Sequence, residues 1–222
     1  MSPATTEPTE AIQDYAKAIF ALQGRSESAI STSALADRLA VSPASVTAML
    51  KRMADAGLVQ HEPYRGVRLT GAGERVALEV IRHHRLLEAY LADALGMPWD
   101  RVHAEAEVLE HYISEELEER IAKALGDPAF DPHGDPIPSR NLEISSEKGT
   151  ALAKLEPGDG GVFTRVSDSD SEMLRYLADR GIRPGARLDV TERQPFGGPL
   201  FVEIGGERHA IGGELAERML IT

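Results

Sequence analysis

The chain has 222 residues, of which 42% are hydrophobic and 27% are charged. This composition is typical of a globular protein with an ordinary core, and the length allows one large domain or two to three small ones. No apolar run approaches the roughly 20 residues that span a bilayer, and the start MSPATTEPTE is polar, so we expect a cytoplasmic protein with no membrane partner. The absence of cysteine excludes disulfides and thiolate ligands, so any metal must be held by histidine, carboxylates, carbonyl groups or water.

The net charge of −12 is unevenly distributed along the chain. Residues 1–70 contain seven Lys or Arg and seven Asp or Glu, so the entire −12 falls on residues 71–222. Nucleic acid phosphates repel a negatively charged protein, but divalent cations bound by the acidic part would remove much of this repulsion. Any DNA affinity is therefore expected to depend on metal.

The first seventy residues carry the pattern of a winged helix-turn-helix. Helical periodicity over 11–23 predicts a first helix, and two short helices follow at 34–39 and 44–56, joined by a tight turn. Short alternating segments at 58–62 and 67–69 flank a turn and predict a hairpin, which is the wing. The alternative interpretation is that the same elements form only a packing or protein-interaction module.

In this fold the second short helix meets base edges, whereas the wing and flanking residues meet phosphates. Small and hydroxyl side chains at the start of that helix allow close approach to the groove, and basic residues follow. The predicted DNA-binding residues are Ser42, Pro43, Ala44, Ser45, Thr47, Ala48, Lys51, Arg52, Tyr64 and Arg65.

Two long helices are predicted after the hairpin, from Thr70 to about Leu95 and from Asp100 to about Gly126. The segment 127–139 contains four prolines and is interpreted as a linker. Beyond about residue 148, short alternating segments with glycine turns, and a single helix at 172–180, predict a small barrel-like β domain.

Each long helix carries a stripe of histidine and carboxylate side chains. At about 100° per residue, His103, Glu107, Glu110 and His111 project from roughly a third of the helix circumference, and His84 and Glu88 are one turn apart on the other helix. Imidazole with carboxylate and no sulfur suits Mn(II) or Fe(II), although Zn(II) and Co(II) would also bind. This pattern predicts a metal site.

Acidic residues on long helices are more often a solvated face, and a histidine four residues from a glutamate is more often a surface pair than a ligand. We assign the solvated interpretation to the acidic run after the stripe and an ordinary structural role to the isolated histidines. They are Glu115, Glu116, Glu118, Glu119, His61, His133 and His209.

Five short stretches occur in order along the chain: SPASVT at 42–47, YRGVRLT at 64–70, HRLLE at 84–88, EVLEH at 107–111 and DPIP at 135–138. Together they resemble the diphtheria-toxin repressor and iron-dependent regulator family, which includes manganese transport regulators. The resemblance implies a mainly α protein with a small all-β domain. Its expected parts are a winged helix-turn-helix at 1–70, a helical dimerisation and metal-binding domain at 71–140, a linker at 141–150 and an SH3-like β-barrel at 151–222.

The resemblance also implies a transcriptional repressor, not an enzyme, that acts as a homodimer on a palindromic operator in double-stranded DNA. Its cofactors would be Mn(II) or Fe(II), at two sites in each subunit, with no organic substrate. The primary site maps to Asp14, Glu107, Glu110 and His111. The ancillary site maps to His84, Glu88 and His103, and the SH3-like domain completes it with Asp170 or Glu172, or with Asp168 as the next candidate.

Two departures from family patterns bear on the metal. Where iron-type members carry Met and Cys, this chain has Asp14 and Glu107, as manganese-type members do, and hard oxygen ligands favour Mn(II). Lys17 stands where a two-domain manganese regulator has a glutamate ligand, so that regulator's binuclear arrangement is not expected here. The alternatives are Fe(II) as the corepressor, a metalloenzyme with a helical His and carboxylate site, a regulator that binds an organic ligand, and an iron-transport accessory protein.

Overall fold

The computed structural model describes residues 8–24, 29–62, 66–145 and 149–222. Contacts divide the chain into two compact units, residues 1–83 with 138–143 and residues 84–137 with 144–222. Within the described residues, no helix is both long enough and apolar enough to cross a membrane.

The first unit contains three helices, a hairpin and the start of a fourth helix. Their bounds are α1 Glu10–Gln23, α2 Thr32–Leu39, α3 Pro43–Asp55, β1 Val59–Glu62, β2 Gly66–Leu69 and α4 Gly71–Asp93. Ser31 and Ser42 cap α2 and α3, because the Oγ of each accepts a hydrogen bond from the backbone N–H three residues later. Between them Ala40 adopts φ 53°, a left-handed conformation that ends α2 and makes the tight turn. The predicted winged helix-turn-helix is confirmed.

The core of this unit fixes which face of α3 points outward. Its largest buried members from the three helices and the hairpin include Tyr15, Ile19, Leu35, Val46, Leu50, Met53 and Val67. Val46, Leu50 and Met53 recur at helical spacing on α3, so the opposite face of that helix lies at the surface.

In the second unit, the helix predicted from Asp100 to Gly126 is two helices, α5 Trp99–Leu109 and α6 Glu115–Ala124. The prediction of one helix was wrong because Ser114 caps a new helix, its Oγ accepting a hydrogen bond from Leu117 N–H. Glu118 was predicted to be solvated, but it is buried.

The C-terminal part of this unit is an antiparallel sheet with two helices. The bounds are β3 Thr150–Ala151, a 3-10 turn Leu152–Lys154, β4 Gly160–Val166, α7 Ser171–Ala178, β5 Arg187–Arg193, β6 Leu200–Ile204, β7 Glu207–Ile211, α8 Gly213–Arg218 and β8 Met219–Ile221. The strand order β3-β8-β4-β5-β6-β7 is linear, so within the described residues this SH3-like domain is an open sheet rather than a closed barrel. Trp99 of α5 is buried in the same apolar cluster as Phe163 and Leu188.

The proline-rich segment after α6 was interpreted as a linker, but its central turn is packed and buried. The Oδ1 of Asp131 accepts hydrogen bonds from the backbone N–H groups of His133 and Asp135 at 2.8 and 2.9 Å, which closes the turn. A Cβ at Gly134, which has φ +89°, would lie 1.9 Å from the Thr164 carbonyl oxygen, so only glycine allows this approach to β4. The turn therefore presents His133 to the interior.

Candidate metal centre

Four side chains from three parts of the second unit converge on one point. His84 and Glu88 come from α4, His103 from α5, and Asp168 from the loop between β4 and α7. His84 Nε2 lies 3.0 Å from Glu88 Oε1 and 3.1 Å from His103 Nδ1. His103 Nδ1 lies 3.2 Å from both Glu88 Oε1 and Asp168 Oδ2. Nitrogen and oxygen atoms at these mutual distances can all ligate one cation.

The pKa values of the residues in this cluster depend on one another. Burial would raise the pKa of Glu88, but contacts with His103, His133 and His84 hold this pKa well below its usual range. Asp168, followed by Glu88, raises the pKa of His103 to about 10. Burial likewise acts to raise the pKa of Asp168, and the contact with His103 outweighs it and lowers that pKa. Without a metal, a proton on His103 therefore supplies the positive charge that the two carboxylates require.

His133 and Asp131 extend the cluster on the other side of Glu88. His133 is fully buried, and its Nε2 donates to the Trp99 carbonyl oxygen at 2.8 Å. Its Nδ1 lies 3.6 Å from Glu88 Oε2, and neither atom has a hydrogen-bond partner among the described residues. Glu88, Asp131 and His133 also lie close enough together to share a cation.

This donor set fits a transition-metal divalent cation. Buried polar atoms that lack a hydrogen bond are costly, and Glu88 Oε2 and His133 Nδ1 are two such atoms beside a dense set of imidazoles and carboxylates. Mixed imidazole and carboxylate ligands suit Mn(II), Fe(II) and Zn(II), whereas Mg(II) and Ca(II) take oxygen ligands almost exclusively.

A second group lies at the C-terminal end of α5. Glu110, its C-cap residue, is buried, and its Oε2 lies 2.5 Å from His84 Nδ1. His111 Nε2 lies 3.7 Å from Glu110 Oε1, and Glu107 Oε1 lies 3.8 Å from His84 Nδ1. Three of the four predicted primary ligands are thus neighbours. The fourth, Asp14, belongs to the first unit, where it is half-buried on α1.

Of the three SH3-like-domain candidates, the structure places Asp168 beside the cluster. Asp168 reaches His103, whereas Asp170 caps α7, its Oδ1 accepting hydrogen bonds from the backbone N–H groups of Glu172 and Met173 at 3.0 and 3.2 Å. Glu172 is exposed in the first turn of α7. Helix capping therefore engages Asp170, the candidate two residues after Asp168.

Sequence reasoning missed Asp131 and His133, because proline and glycine around them indicated a linker. The available signal was the alternation of Asp131, His133 and Asp135, although it does not show that the turn is buried. Asp135 is also buried, and its Oδ1 pairs with Arg85 at 2.9 Å and with Arg165 at 2.7 Å.

The predicted DNA-binding residues lie mainly on α3. All eight described members of the set are exposed, on the side opposite the buried core face: Ser42, Pro43, Ala44, Ser45, Thr47, Ala48, Lys51 and Arg52. Tyr64 and Arg65 lie outside the described residues. The exposed face is therefore free of large apolar side chains and carries two cations at its C-terminal half.

Three family models match the chain in sequence. Residues 7–67 match the N-terminal DNA-binding domain of iron-dependent repressors, residues 70–139 match their metal-binding and dimerisation domain, and residues 150–222 match the FeoA domain. The iron-dependent repressor IdeR of Mycobacterium tuberculosis is 35% identical over 199 residues, which cover 84% of this chain and 86% of that protein. The diphtheria toxin repressor of Corynebacterium jeikeium is 35% identical over 179 residues, covering 70% of this chain and 75% of that protein.

Solved structures give a similar result. A manganese-dependent transcriptional repressor in complex with manganese has a TM-score of 0.87 and 41% identity, covering 95% of this chain and 99% of that one. ScaR with bound Zn²⁺ has a TM-score of 0.77 and 28% identity, covering 97% of this chain and 99% of that one.

Proposed function

The chain belongs to the iron-dependent repressor family and is an iron- or manganese-dependent transcriptional repressor, and we propose that Mn(II), bound at two sites in each subunit, is its corepressor. The observation that carries this proposal is the ligand set, which offers imidazole nitrogen and carboxylate oxygen but no sulfur. Compared with a thiolate or thioether site, a site with hard oxygen ligands has a preference shifted from softer ions towards Mn(II). The similarity to a repressor in complex with manganese supports the same choice.

The proposed ancillary site consists of His84, Glu88, His103 and Asp168. The contacts of 3.0 to 3.2 Å among these residues support it, as does the burial of Glu88. Asp168 comes from the SH3-like domain, so a cation here would brace that domain against α4 and α5.

The proposed primary site consists of Asp14, Glu107, Glu110 and His111. The resemblance to manganese-type members supports this set, and the grouping of Glu107, Glu110 and His111 near the end of α5 agrees with it. The cation supplies positive charge that offsets several carboxylates at once. Asp14 is the ligand on the DNA-binding unit, so its engagement would restrict the hinge and hold the two recognition helices of a dimer about 34 Å apart, one turn of DNA.

A homodimer on a palindromic operator is the expected assembly. Large apolar side chains on α5, α6 and the turn between them are exposed, namely Val108, Leu109, Tyr112 and Leu117. An exposed apolar patch of this kind suits a protein interface, and residues 70–139 match a dimerisation domain. Two copies of α3, related by a two-fold axis, would read the two halves of an inverted repeat.

The test is a selection from a library of random DNA duplexes, carried out with the full chain in the presence of Mn(II), in the anaerobic presence of Fe(II), or with a chelator. We expect enrichment of an inverted repeat with Mn(II) and no enrichment with the chelator. Enrichment of the same repeat with the chelator would contradict metal dependence. Recovery only with Fe(II) would show that the corepressor is iron.

A further inference from the structure

His84 contacts both groups of proposed ligands. Its Nδ1 lies 2.5 Å from Glu110 Oε2, while its Nε2 lies 3.0 Å from Glu88 Oε1 and 3.1 Å from His103 Nδ1. The side chain is only 5% exposed, so the ring is fixed between the two groups. One imidazole therefore has one nitrogen in each proposed site.

The oxygens of Glu110 are divided in the same way. Its Oε2 faces His84, and its Oε1 faces His111 Nε2 at 3.7 Å. Glu110 is 1% exposed, so its orientation is decided by neighbouring side chains rather than by water. The contact with His84 thus helps to determine which oxygen Glu110 offers to its own site.

The short contact assigns the roles of the two ring nitrogens. A nitrogen and a carboxylate oxygen 2.5 Å apart require a proton between them, so Nδ1 donates to Glu110. In a neutral ring the Nε2 lone pair then points towards Glu88 Oε1, which is favourable only with a positive charge nearby. A carboxylate behind an imidazole in this way is the usual support for a metal-ligating histidine.

We propose that His84 couples the two metal sites, so that occupation of one site raises the affinity of the other. This rests on the proposed function. A cation held through Nε2 immobilises the ring, the ring holds Glu110 through Nδ1, and Glu110 is then already oriented for its own site. Preorganised ligands lose less conformational freedom when they bind a metal. Thermodynamic linkage then requires that each site raises the metal affinity of the other by the same factor.

Substitution of His84 can separate its two nitrogens. The asparagine side chain places an amide N–H near the position of Nδ1 and is too short to reach the position of Nε2. The glutamine side chain places its amide near the position of Nε2 and has a methylene carbon where Nδ1 was. His84→Asn therefore keeps the contact with Glu110, and His84→Gln removes it. His103→Ala removes the ancillary site in either background, and the His103 side chain is 34% exposed, which limits the damage to the core.

The experiment is a titration of the full chain with Mn(II), with free Mn(II) followed by its EPR signal, for the wild type, the single variants and the double variants. In the wild-type background, His103→Ala should weaken the remaining site by about 5- to 150-fold, the usual range of such couplings. The remaining site should be weakest in His84→Gln, which lacks the contact with Glu110, and in His84→Asn it should be close to that of His103→Ala, which keeps this contact without an ancillary cation. In both of these backgrounds, adding His103→Ala should change the Mn(II) affinity of the remaining site little.

If adding His103→Ala lowered the Mn(II) affinity of the remaining site equally in all three backgrounds, the role of His84 would be overturned. A wild-type chain that binds fewer than two Mn(II) ions would overturn the two-site function itself, and the coupling with it. NMR of ¹⁵N-labelled imidazoles in the wild-type chain loaded with diamagnetic Cd(II) gives an independent readout if a variant does not fold. His84 should then show a protonated Nδ1 and a cadmium-coupled Nε2, and the opposite assignment would overturn the proposal.

Discussion

His103 Nδ1 and Asp168 Oδ2 lie 3.2 Å apart and join α5 to the loop between β4 and α7. His103 also contacts Glu88 on α4. Through His103, Asp168 of the SH3-like domain therefore takes part in the buried polar cluster of the helices. Asp170, two residues further on, is instead used to cap α7. The two aspartates therefore give a matched pair for testing the ancillary site.

Asp168→Ala should weaken Mn(II) binding at the ancillary site by at least about 10-fold, because a charged ligand is lost. Asp170→Ala should leave the Mn(II) affinity unchanged and lower the free energy of unfolding by about 1 kcal/mol, as expected for loss of a helix cap. Calorimetric Mn(II) titration and chemical denaturation measure the two effects. If Asp170→Ala weakened Mn(II) binding as much as Asp168→Ala, the assignment of Asp168 would be incorrect.

Mn(II) affinity at the ancillary site should rise with pH across the neutral range. Asp168 and Glu88 raise the pKa of His103 to about 10, so a proton must leave before a metal binds, and the affinity gains up to about tenfold per pH unit for each proton displaced. In Asp168→Ala the first of these causes is removed, so the rise should level off at a lower pH. Titrations at several pH values test this, and a pH-independent affinity in the wild type would refute it.

The metal-free fold should respond to pH in the opposite sense. The pKa of His103 is higher in the folded chain, about 10, than its ordinary value of 6.5. Its protonation therefore contributes stability that is fully present below pH 6.5 and is lost as pH rises through about 10.

Glu107→Cys should shift metal preference from Mn(II) towards Zn(II) and Fe(II), because a thiolate replaces a hard oxygen ligand. Glu105→Cys is the control, since it introduces the same thiol at an exposed position of α5 outside the cluster. Competition between Mn(II) and Zn(II) for the anaerobic protein gives the preference ratio. We expect a changed ratio for Glu107→Cys only, and equal changes in both variants would contradict the assignment of Glu107 as a ligand.

Lys51→Ala should reduce the salt dependence of operator binding. Lys51 is exposed on α3, and loss of one phosphate contact lowers the slope of log affinity against log salt by about 1 for each subunit. Lys123→Ala removes a cation from α6 instead and should leave the slope unchanged. Fluorescence anisotropy at several salt concentrations measures both slopes, and identical slopes for wild type and Lys51→Ala would exclude a phosphate contact by this residue.

Local signals made the fold largely predictable from the sequence. Ser31 and Ser42 mark helix starts through their side-chain oxygens, and Val46, Leu50 and Met53 mark the buried face of α3 by their spacing. Predictions failed where a longer pattern concealed a helix boundary and where an element is short. The continuous helical periodicity after Asp100 concealed the cap at Ser114, and β3, α8 and β8 are too short to show a period.

The site was predictable where its ligands share a helix face, and unpredictable where tertiary packing brings them together. His84 with Glu88 and His103 with Glu107 are each one turn apart, so their spacing reveals them. Asp168 and His133 enter from irregular segments whose positions depend on packing of the turn at Gly134 against β4. No periodicity distinguishes Asp168 from Asp170 before that packing is known.

In the proposed switch, metal engages Asp14 and thereby enables operator binding. The most direct test is the operator affinity of wild type, Glu10→Ala and Asp14→Ala, each with Mn(II) and with chelator, using the selected inverted repeat. Glu10 is the control because it is an exposed carboxylate on the same helix. Wild type and Glu10→Ala should bind tightly only with Mn(II), whereas Asp14→Ala should remain a folded dimer with the weak affinity of the metal-free chain. Tight, Mn(II)-dependent operator binding by Asp14→Ala would contradict this switch.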